Sequence, residues 1–483
     1  MSLAKRCRTL QSSSRQLLLD AVSFVRRQIV QVRHGGCAEL TRKTKLALRK
    51  VLVEVPLTIF AVPVVLILRL IKPWMLVRWR EMKTSTFGHL GGNTEIYLCE
   101  RDAGINVPRQ RHVDISFVQK RVSNRQLVKM WKRIHRVWPA WCLPPIRRVN
   151  RQIPGGAVHE IGNNTLEDRD VHNLYDRFPP HLKFTADEEA RGEADLRLMG
   201  IPAGAPFVCM TVRDSAYYYQ VTGQMNHENE YRDCDIQNFV LAAEELADRG
   251  YFVVRMGAKV RERINSDHPR VIDYATSGMR SDLLDIYLGA RCEFCISTAT
   301  GFDCVPAIFR RPIVFVNILP LGWLATWSAK FIHITRHHMS VRNGQELTLR
   351  EIFECGVGFG FYTSDYETRG IRVIENTPEE IRDVVVEMAE RLSGTWCAHE
   401  DDEVLQRTFW KIFPTEAKTA DGTPINGEIR ARFGAAFLRN NRGWLEEDGT
   451  PNRVVVNAAK LGIISPQAAR VPQKSEESNP YAQ

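Results

Sequence analysis

The sequence predicts an α/β chain organised around a doubly wound parallel sheet, and three observations predict it. Short apolar runs rich in strand formers recur at 207–212, 251–256, 271–274, 292–296 and 312–317. Helical patterns alternate with them, at 235–249, 281–290 and 301–309, and a last helix follows at 378–392. End signals punctuate these helices: Gly250 closes the first, and Ser281 stands as an N-cap before the second. Strands alternating with helices imply a parallel sheet with right-handed crossovers, and such sheets bind ligands at the carboxyl ends of their strands.

The 483 residues are enough for two or three domains, and 44% hydrophobic with 25% charged residues is an ordinary globular composition. The reading divides the chain into a basic and apolar region (1–83), a first domain (84–200), the sheet domain (201–395), an extension of mixed character (396–464) and a polar tail (465–483) expected to be disordered.

The formal charge is +10, and much of the excess is N-terminal. From Lys5 to Lys50 the basic residues are opposed only by Asp20 and Glu39. Such a region attracts anions such as lipid headgroups. An apolar run, VLVEVPLTIFAVPVVLIL, follows at 51–68. Its uncharged core is short for a membrane span, which needs about 20 apolar residues, and Pro56 and Pro63 interrupt it. Basic residues flank it, including Lys50, Arg69 and Lys72, and Trp74 and Trp79 stand where interfacial aromatics would. A helix lying in the interface fits this pattern, giving a peripheral or monotopic protein held at an anionic membrane surface. The alternative is a buried core helix.

Eleven cysteines are scattered along the chain, which fits a reducing compartment, the cytoplasm. The one CxxC pair, Cys292 and Cys295, lies inside an apolar run with no second Cys/His pair at zinc spacing, so no metal is expected there. The basic stretch 129–151 carries Trp131, Trp138 and Trp141 at near-helical spacing, which reads as a packed face, and nucleic acid is not an expected partner.

Four constellations could carry chemistry. The first is the segment 86–97, TFGHLGGNTEIY, read as a strand end, a glycine-rich turn and a helix start. Gly88, Gly91, Gly92 and Asn93 would form a loop approached closely by a ligand, and His89 could accept a proton at neutral pH; the alternative is a turn histidine that only packs. The second is the hydroxyl-rich turn Ser297, Thr298, Thr300 and Gly301, suited to a diphosphate, or else simply capping the next helix. The third is Arg213, just past a strand, able to neutralise a leaving diphosphate, with Tyr217, Tyr218 and Tyr219 following as a stacking or surface cluster. The fourth gathers Arg255, Gly257 and Lys259 with Asp273 and Asp282, as cations for a nucleotide and carboxylates for ribose hydroxyls; for Asp282 the alternative is an interaction with its own helix dipole. Their joint placement at successive strand ends is the evidence, since no one motif is strong.

With these residues in hand, the chain resembles a family of bacterial glycosyltransferases of the GT-B type, mostly surface-polysaccharide enzymes of uncharacterised substrate. The resemblance is carried by FGHLGGNTEIYL at 87–98, VCMTVRDSAYY at 208–218, the segments 231–257 and 281–317, the Asp273-Tyr274 pair and the closing helix, over roughly 84–395. It implies two Rossmann-like domains facing a cleft, with a nucleotide-sugar as donor substrate, no other cofactor, and a glycan or lipid-linked glycan as acceptor, at the cytoplasmic face of the inner membrane. It places His89 as the base, Arg213 and the 297–301 turn at the diphosphate, and the mechanism without a metal, since no DxD motif stands in a convincing loop. The familiar glutamate-containing donor signature is missing, which leaves the nucleotide open. The rivals are a nucleotide-sugar 2-epimerase-like isomerase, which needs no membrane segment, and a non-catalytic scaffold of a polysaccharide assembly complex, which would tolerate loss of His89 and Arg213.

Overall fold

The apolar runs form the interior of a seven-stranded parallel sheet in the computed structural model of the protein, which describes residues 36, 41, 43–45, 48, 50–162, 168–223 and 227–446. By its contacts the chain divides into two units: Met1–Trp79 with Pro108–Ile115 and Trp138–Ile161, and Arg80–Val107 with Ser116–Val137 and Gly162–Gln483. Three short strands, β1 (Leu76–Met82), β2 (His112–Val118) and β3 (Arg136–Trp138), form a sheet in that order.

In the first unit the apolar run is one continuous helix, Val55–Ile71, entered through a π-turn at Lys50–Glu54. The sequence reading took the prolines as interruptions. Pro56 instead sits in the first helical turn, where its missing N–H has no partner to lose, and Pro63 is accommodated inside the helix. Counted from Val51 to Ile71 the helix has 21 residues and a mean hydropathy of 2.6, long and apolar enough to cross a membrane. It buries Ala61 and Val65 against Ile146 and Val149 of the Leu143–Gln152 helix and Ile153 just after it. Arg69 ties its end down, donating to Asn150 Oδ1 at 2.8 Å and to Gly155 O at 2.5 Å. The remaining face, including Ile59, Phe60, Leu66 and Leu70, is exposed, as are Trp74 and Trp141. The basic run before residue 50 lies almost wholly outside the described residues, as does the tail from 447 on.

The second unit holds the large sheet. Its strands are β4 (Phe207–Thr211), β5 (Phe252–Met256), β6 (Val271–Ile272), β7 (Cys295–Ser297), β8 (Ile313–Ile318), β9 (Phe331–Thr335) and β12 (Arg432–Phe433), in the order β12-β9-β8-β7-β4-β5-β6. Every residue of β4, β7, β8 and β9 is buried, as continuous apolar runs in a parallel sheet covered on both faces should be. Two further strands, β10 (His337–Ser340) and β11 (Ile371–Ile374), make an antiparallel pair apart from it. The expected helices form. The segment 235–249 opens as a 3-10 turn capped by Asp235 and continues as Val240–Asp248. Asp282–Arg291 is capped by Ser281, and Pro378–Ser393 begins with a capping box between Thr377 and Glu380 and ends at Gly394 in the left-handed region. The segment 301–309 is shorter than expected, a 3-10 turn at Gly301–Asp303 followed by the Cys304–Ile308 helix.

Residues 396–446 belong to the same core. The Asp402–Ile412 helix buries Phe409 against Phe433 at 4.3 Å between ring centroids, and β12 pairs with β9 through Arg432–Ile332 and Phe433–His333.

Candidate functional site

In register, Thr211 of β4 stands beside Ser297 of β7 on one side and Met256 of β5 on the other, so three strands end level. The chain leaving β4 and the chain leaving β7 are then stitched together. Arg213 N donates to Thr298 Oγ1 at 2.8 Å, Thr298 N to Thr211 O at 3.2 Å, and the Thr211 and Thr300 hydroxyls meet at 3.1 Å. Between Thr298 and Thr300 the backbone of Ala299 is held at φ 56°, a conformation costing a residue with a Cβ about 1–2 kcal/mol. Arg232 secures this tip, its Nη2 donating to Ala299 O at 2.9 Å. The surroundings fix a strained turn at a strand end, which is where binding loops store strain.

Asp303 closes the turn from below. Its Oδ1 accepts hydrogen bonds from the hydroxyls of Ser297 and, at 3.3 Å, Thr300. Burial pushes this carboxyl up to about 7, against the pull of those two hydroxyls and of Arg232. The turn's hydroxyls therefore serve internal bonds: Thr298 receives Arg213 N, Ser297 and Thr300 serve Asp303, and Thr300 also caps Phe302 N. These bonds match the capping alternative for the turn, and the helix behind it has only five residues.

The charge at this edge is uneven. Arg213 Nε lies 3.5 Å from Asp233 Oδ1, and Arg261 Nη2 lies 3.8 Å from Asp233 Oδ2 while donating to Ser215 Oγ at 2.8 Å. Arg232 stands close enough that, after burial itself, its guanidinium is the largest influence lowering the Arg213 pKa. Asp214, the other nearby carboxylate, is occupied by the backbone N–H groups of Ala216 at 2.9 Å and Arg261 at 2.8 Å. Arg213 and Arg261 thus share Asp233 and a third guanidinium, Arg232, lies beside Arg213; set against the carboxylates of Asp233 and Asp214, the three leave a positive potential that favours an anion. Of these, only Arg213 stood out in the sequence. Arg232 and Arg261 lack a motif, and Asp303 is hidden inside a turn read for its hydroxyls.

The first glycine-rich segment meets this turn, though as a helix. Phe87–Asp102 is helical, so Gly88, His89, Gly91, Gly92 and Asn93 form its first two turns and no loop. The glycines permit close packing: a Cβ on Gly88 would stand 3.1 Å from Gly301 Cα, one on Gly301 3.0 Å from Gly88 N, and one on Gly91 2.5 Å from Cys304 Sγ. His89 is half-buried, its Nδ1 3.4 Å from Asn93 Oδ1 one turn on. Beside this junction is a cavity of about 290 Å³. Gly88, Asp168, Arg232, Thr300 and Asp303 line its polar part, and Trp323, Phe315 and Phe361 its apolar part.

The fourth constellation does not assemble as expected. Arg255 is 1% exposed and paired with Asp273 at 3.2 Å, so each occupies the other. Gly257 makes a tight turn, where a Cβ would come 2.6 Å from Val260 Cγ1, and Lys259 is exposed beyond it. Asp282 accepts from Arg125 N at 2.8 Å, placing its carboxylate at the start of the Arg125–Lys132 helix as well as its own. The dipole reading of Asp282 is the one the geometry matches. Cys292 and Cys295 are buried in the core, and burial raises the Cys295 thiol well above its ordinary value.

No protein-family profile and no curated protein sequence matches the chain. Among solved structures it is similar to the ADP-heptose lipopolysaccharide heptosyltransferase II of E. coli, at 13% identity and a TM-score of 0.33, over 54% of this chain and 90% of that one. It is also similar to a family 9 glycosyl transferase of Veillonella parvula, at 10% identity and a TM-score of 0.34, over 50% and 80%. A third likeness is to the iron-containing dodecameric glycosyltransferase TibC of enterotoxigenic E. coli, at 13% identity and a TM-score of 0.26, over 51% and 59%. At these scores the likenesses assign neither fold nor activity, and the functional reading rests on the site.

Proposed function

We propose that the protein is a glycosyltransferase that moves a sugar from a nucleotide-sugar donor to a glycan or lipid-linked glycan at the cytoplasmic face of the inner membrane, in bacterial surface polysaccharide synthesis. The observation that carries the reading is that Arg213 and Arg261 share one carboxylate, Asp233, with a third guanidinium, Arg232, beside Arg213, at the carboxyl edge of a parallel sheet. A surplus of guanidinium charge on preorganised backbone is what a departing diphosphate needs.

In this reading the donor's diphosphate lies against Arg213 and Arg232, and its sugar reaches the cavity. An acceptor hydroxyl attacks the anomeric carbon, the bond from that carbon to the diphosphate oxygen breaks, and the hydroxyl proton passes to a base. Asp303, a carboxyl of pKa about 7 that lines the cavity, is the better-placed base, and His89, beside the cavity-lining Gly88, is the other candidate. The acceptor side would be carried by 84–200 as the second Rossmann-like domain, with no metal or cofactor in the transfer step. The exposed apolar face of Val55–Ile71, with Trp74, Trp141 and nearby basic residues, supports attachment to an anionic membrane.

The test is a thermal-shift and calorimetric screen of the full chain against nucleotides and nucleotide-sugars. A donor at about 100 times its Kd stabilises the fold by roughly 2.7 kcal/mol. Binding by one nucleotide class that is lost in Arg232→Ala supports the reading. A folded protein that binds none of them sinks it and favours the scaffold.

A further inference from the structure

One cluster outside the cavity joins three metal-ligating residue types. Glu95 and Cys99 stand one turn apart on the same face of the Phe87–Asp102 helix, both buried, and His181 approaches from the 168–185 segment of the same unit. His181 Nδ1 lies 3.2 Å from Glu95 Oε1, Cys99 Sγ lies 3.9 Å from that same oxygen, and all three ligand atoms fall within 4.8 Å of one another. Metal–ligand bonds of about 2.0–2.3 Å in a tetrahedral zinc site put ligand atoms roughly 3.3–3.8 Å apart, close to this spacing.

The surroundings are arranged as a metal's outer shell would be. His181 Nε2 is held at 2.9 Å by Asp102 Oδ2, which fixes the ring and leaves Nδ1 facing Glu95 and Cys99. A carboxylate on the far ring nitrogen is the usual partner of a metal-bound histidine. Glu95 Oε2 is buried and makes no hydrogen bond among the described residues, while His181 Nδ1 faces the other oxygen, Oε1, at 3.2 Å. Arg310 Nη2 donates to Glu95 Oε1 at 2.6 Å and approaches Cys99 Sγ at 3.5 Å. That guanidinium does not depend on the cluster for its place: it also donates to Phe178 O at 3.0 Å, Pro179 O at 3.2 Å and Ile308 O at 2.5 Å. It can therefore remain as a hydrogen-bond donor to a ligating carboxylate. A dication balanced by the Glu95 carboxylate and a Cys99 thiolate leaves the Arg310 charge facing the carbonyls of Phe178, Pro179 and Ile308.

We infer that Glu95, Cys99 and His181 form a zinc site, with Asp102 and Arg310 orienting its ligands. None of the three lines the cavity, and three protein ligands leave the ion's fourth position to water; the ion clamps the segment around His181 to the Phe87–Asp102 helix. The site stands independently of the transferase reading. It also differs from the CxxC pair, whose two sulfurs are packed in the sheet core.

The experiment measures the metal content of the full chain purified in detergent, followed by exchange of the metal for Co²⁺. The expected result is one zinc per chain, and in the cobalt form the thiolate charge-transfer and tetrahedral d–d absorption bands. Cys99→Ser removes the charge-transfer band, whereas substitution of the exposed Cys397 by Ser leaves it intact. Asp102→Asn weakens zinc affinity about 10–100-fold in competition with a chelator. A folded wild-type protein that takes up no Co²⁺ with a thiolate band overturns the inference, and so does a band that survives Cys99→Ser. Iron bound in place of zinc overturns the choice of metal. Should Cys99→Ser fail to fold, the wild-type cobalt spectrum and His181→Ala decide the matter.

Discussion

Arg255 and Arg213 lie at neighbouring strand ends of one sheet, and their surroundings are opposite. Arg255 is enclosed and matched one to one with Asp273, so its charge is neutralised inside the fold. Arg213 shares the single carboxylate of Asp233 with Arg261 and stands near the guanidinium of Arg232. Arg213 follows a buried strand and Arg255 lies near the end of the next, and both read in sequence as phosphate ligands. What separates them is the local balance of charge: a matched pair contributes to the fold, and a surplus waits for an anion. Where an arginine sits in a Rossmann-like edge is thus weaker evidence of binding than how many carboxylates it must share.

Substitutions can break that comparison or sharpen it, and the largest effect expected is on turnover. Asp303→Asn should lower transfer or donor hydrolysis by about 10²–10⁴-fold if the carboxyl is the base, with His89→Ala milder; the reverse ranking, read by product formation, would move the role to His89. Next, Arg255→Ala should leave Asp273 without its partner and destabilise the fold by about 3 kcal/mol in denaturant titration, while nucleotide affinity per folded molecule is unchanged. Arg213→Ala and Arg232→Ala should do the opposite. Each should weaken nucleotide binding about 10–100-fold by calorimetry, equivalent to about 1.5–3 kcal/mol for a charge-assisted bond, and Arg232→Ala should in addition cost about 0.5–1.5 kcal/mol of stability as its bond to Ala299 O is lost. Gly91→Ala should cost about 1–3 kcal/mol by crowding Cys304, marking the helix junction as packing. Asp282→Ala, the smallest, should cost about 1 kcal/mol as a lost helix-end interaction and leave nucleotide affinity alone.

Asp303 adds a pH arm. Its carboxyl is raised from 3.8 to about 7 in the fold, so the unfolded chain releases this proton first as pH rises. Stability should therefore fall between about pH 4 and pH 7 relative to Asp303→Asn, and the two proteins should run parallel above that window. Urea titrations at stepped pH would show it. A difference that stays flat across the window would mean the carboxyl is ionised in the fold at low pH, against the role of a base poised near neutrality.

The sheet was legible because buried parallel strands are largely apolar runs, as at β4 and β8, and because Gly250 and Ser281 mark helix ends chemically. The candidate site was legible only in part. The 86–97 segment carries three glycines, a composition that reads as a loop, and tertiary packing overrides it: a helix with glycine on one face can approach another backbone more closely than any alternative. Arg232 lies in a 3-10 stretch with no motif, and its contact with Ala299 joins residues 67 apart. The Glu95, Cys99 and His181 cluster has no ligand spacing to recognise, since the histidine comes from a distant segment. The edge strand β12 is two residues long, too short for any periodicity.

That last strand has a consequence for how the chain is made. β9 receives its outer neighbour only when Arg432 and Phe433 emerge, roughly a hundred residues after Thr335. At about 5–20 residues per second, a ribosome takes roughly 5–20 s to cover that distance. For this interval the edge formed by Phe331–Thr335 has hydrogen-bonding groups and an apolar flank without their final cover. The nascent chain is most open to pairing with a neighbour, and most in need of a chaperone, in that window of synthesis.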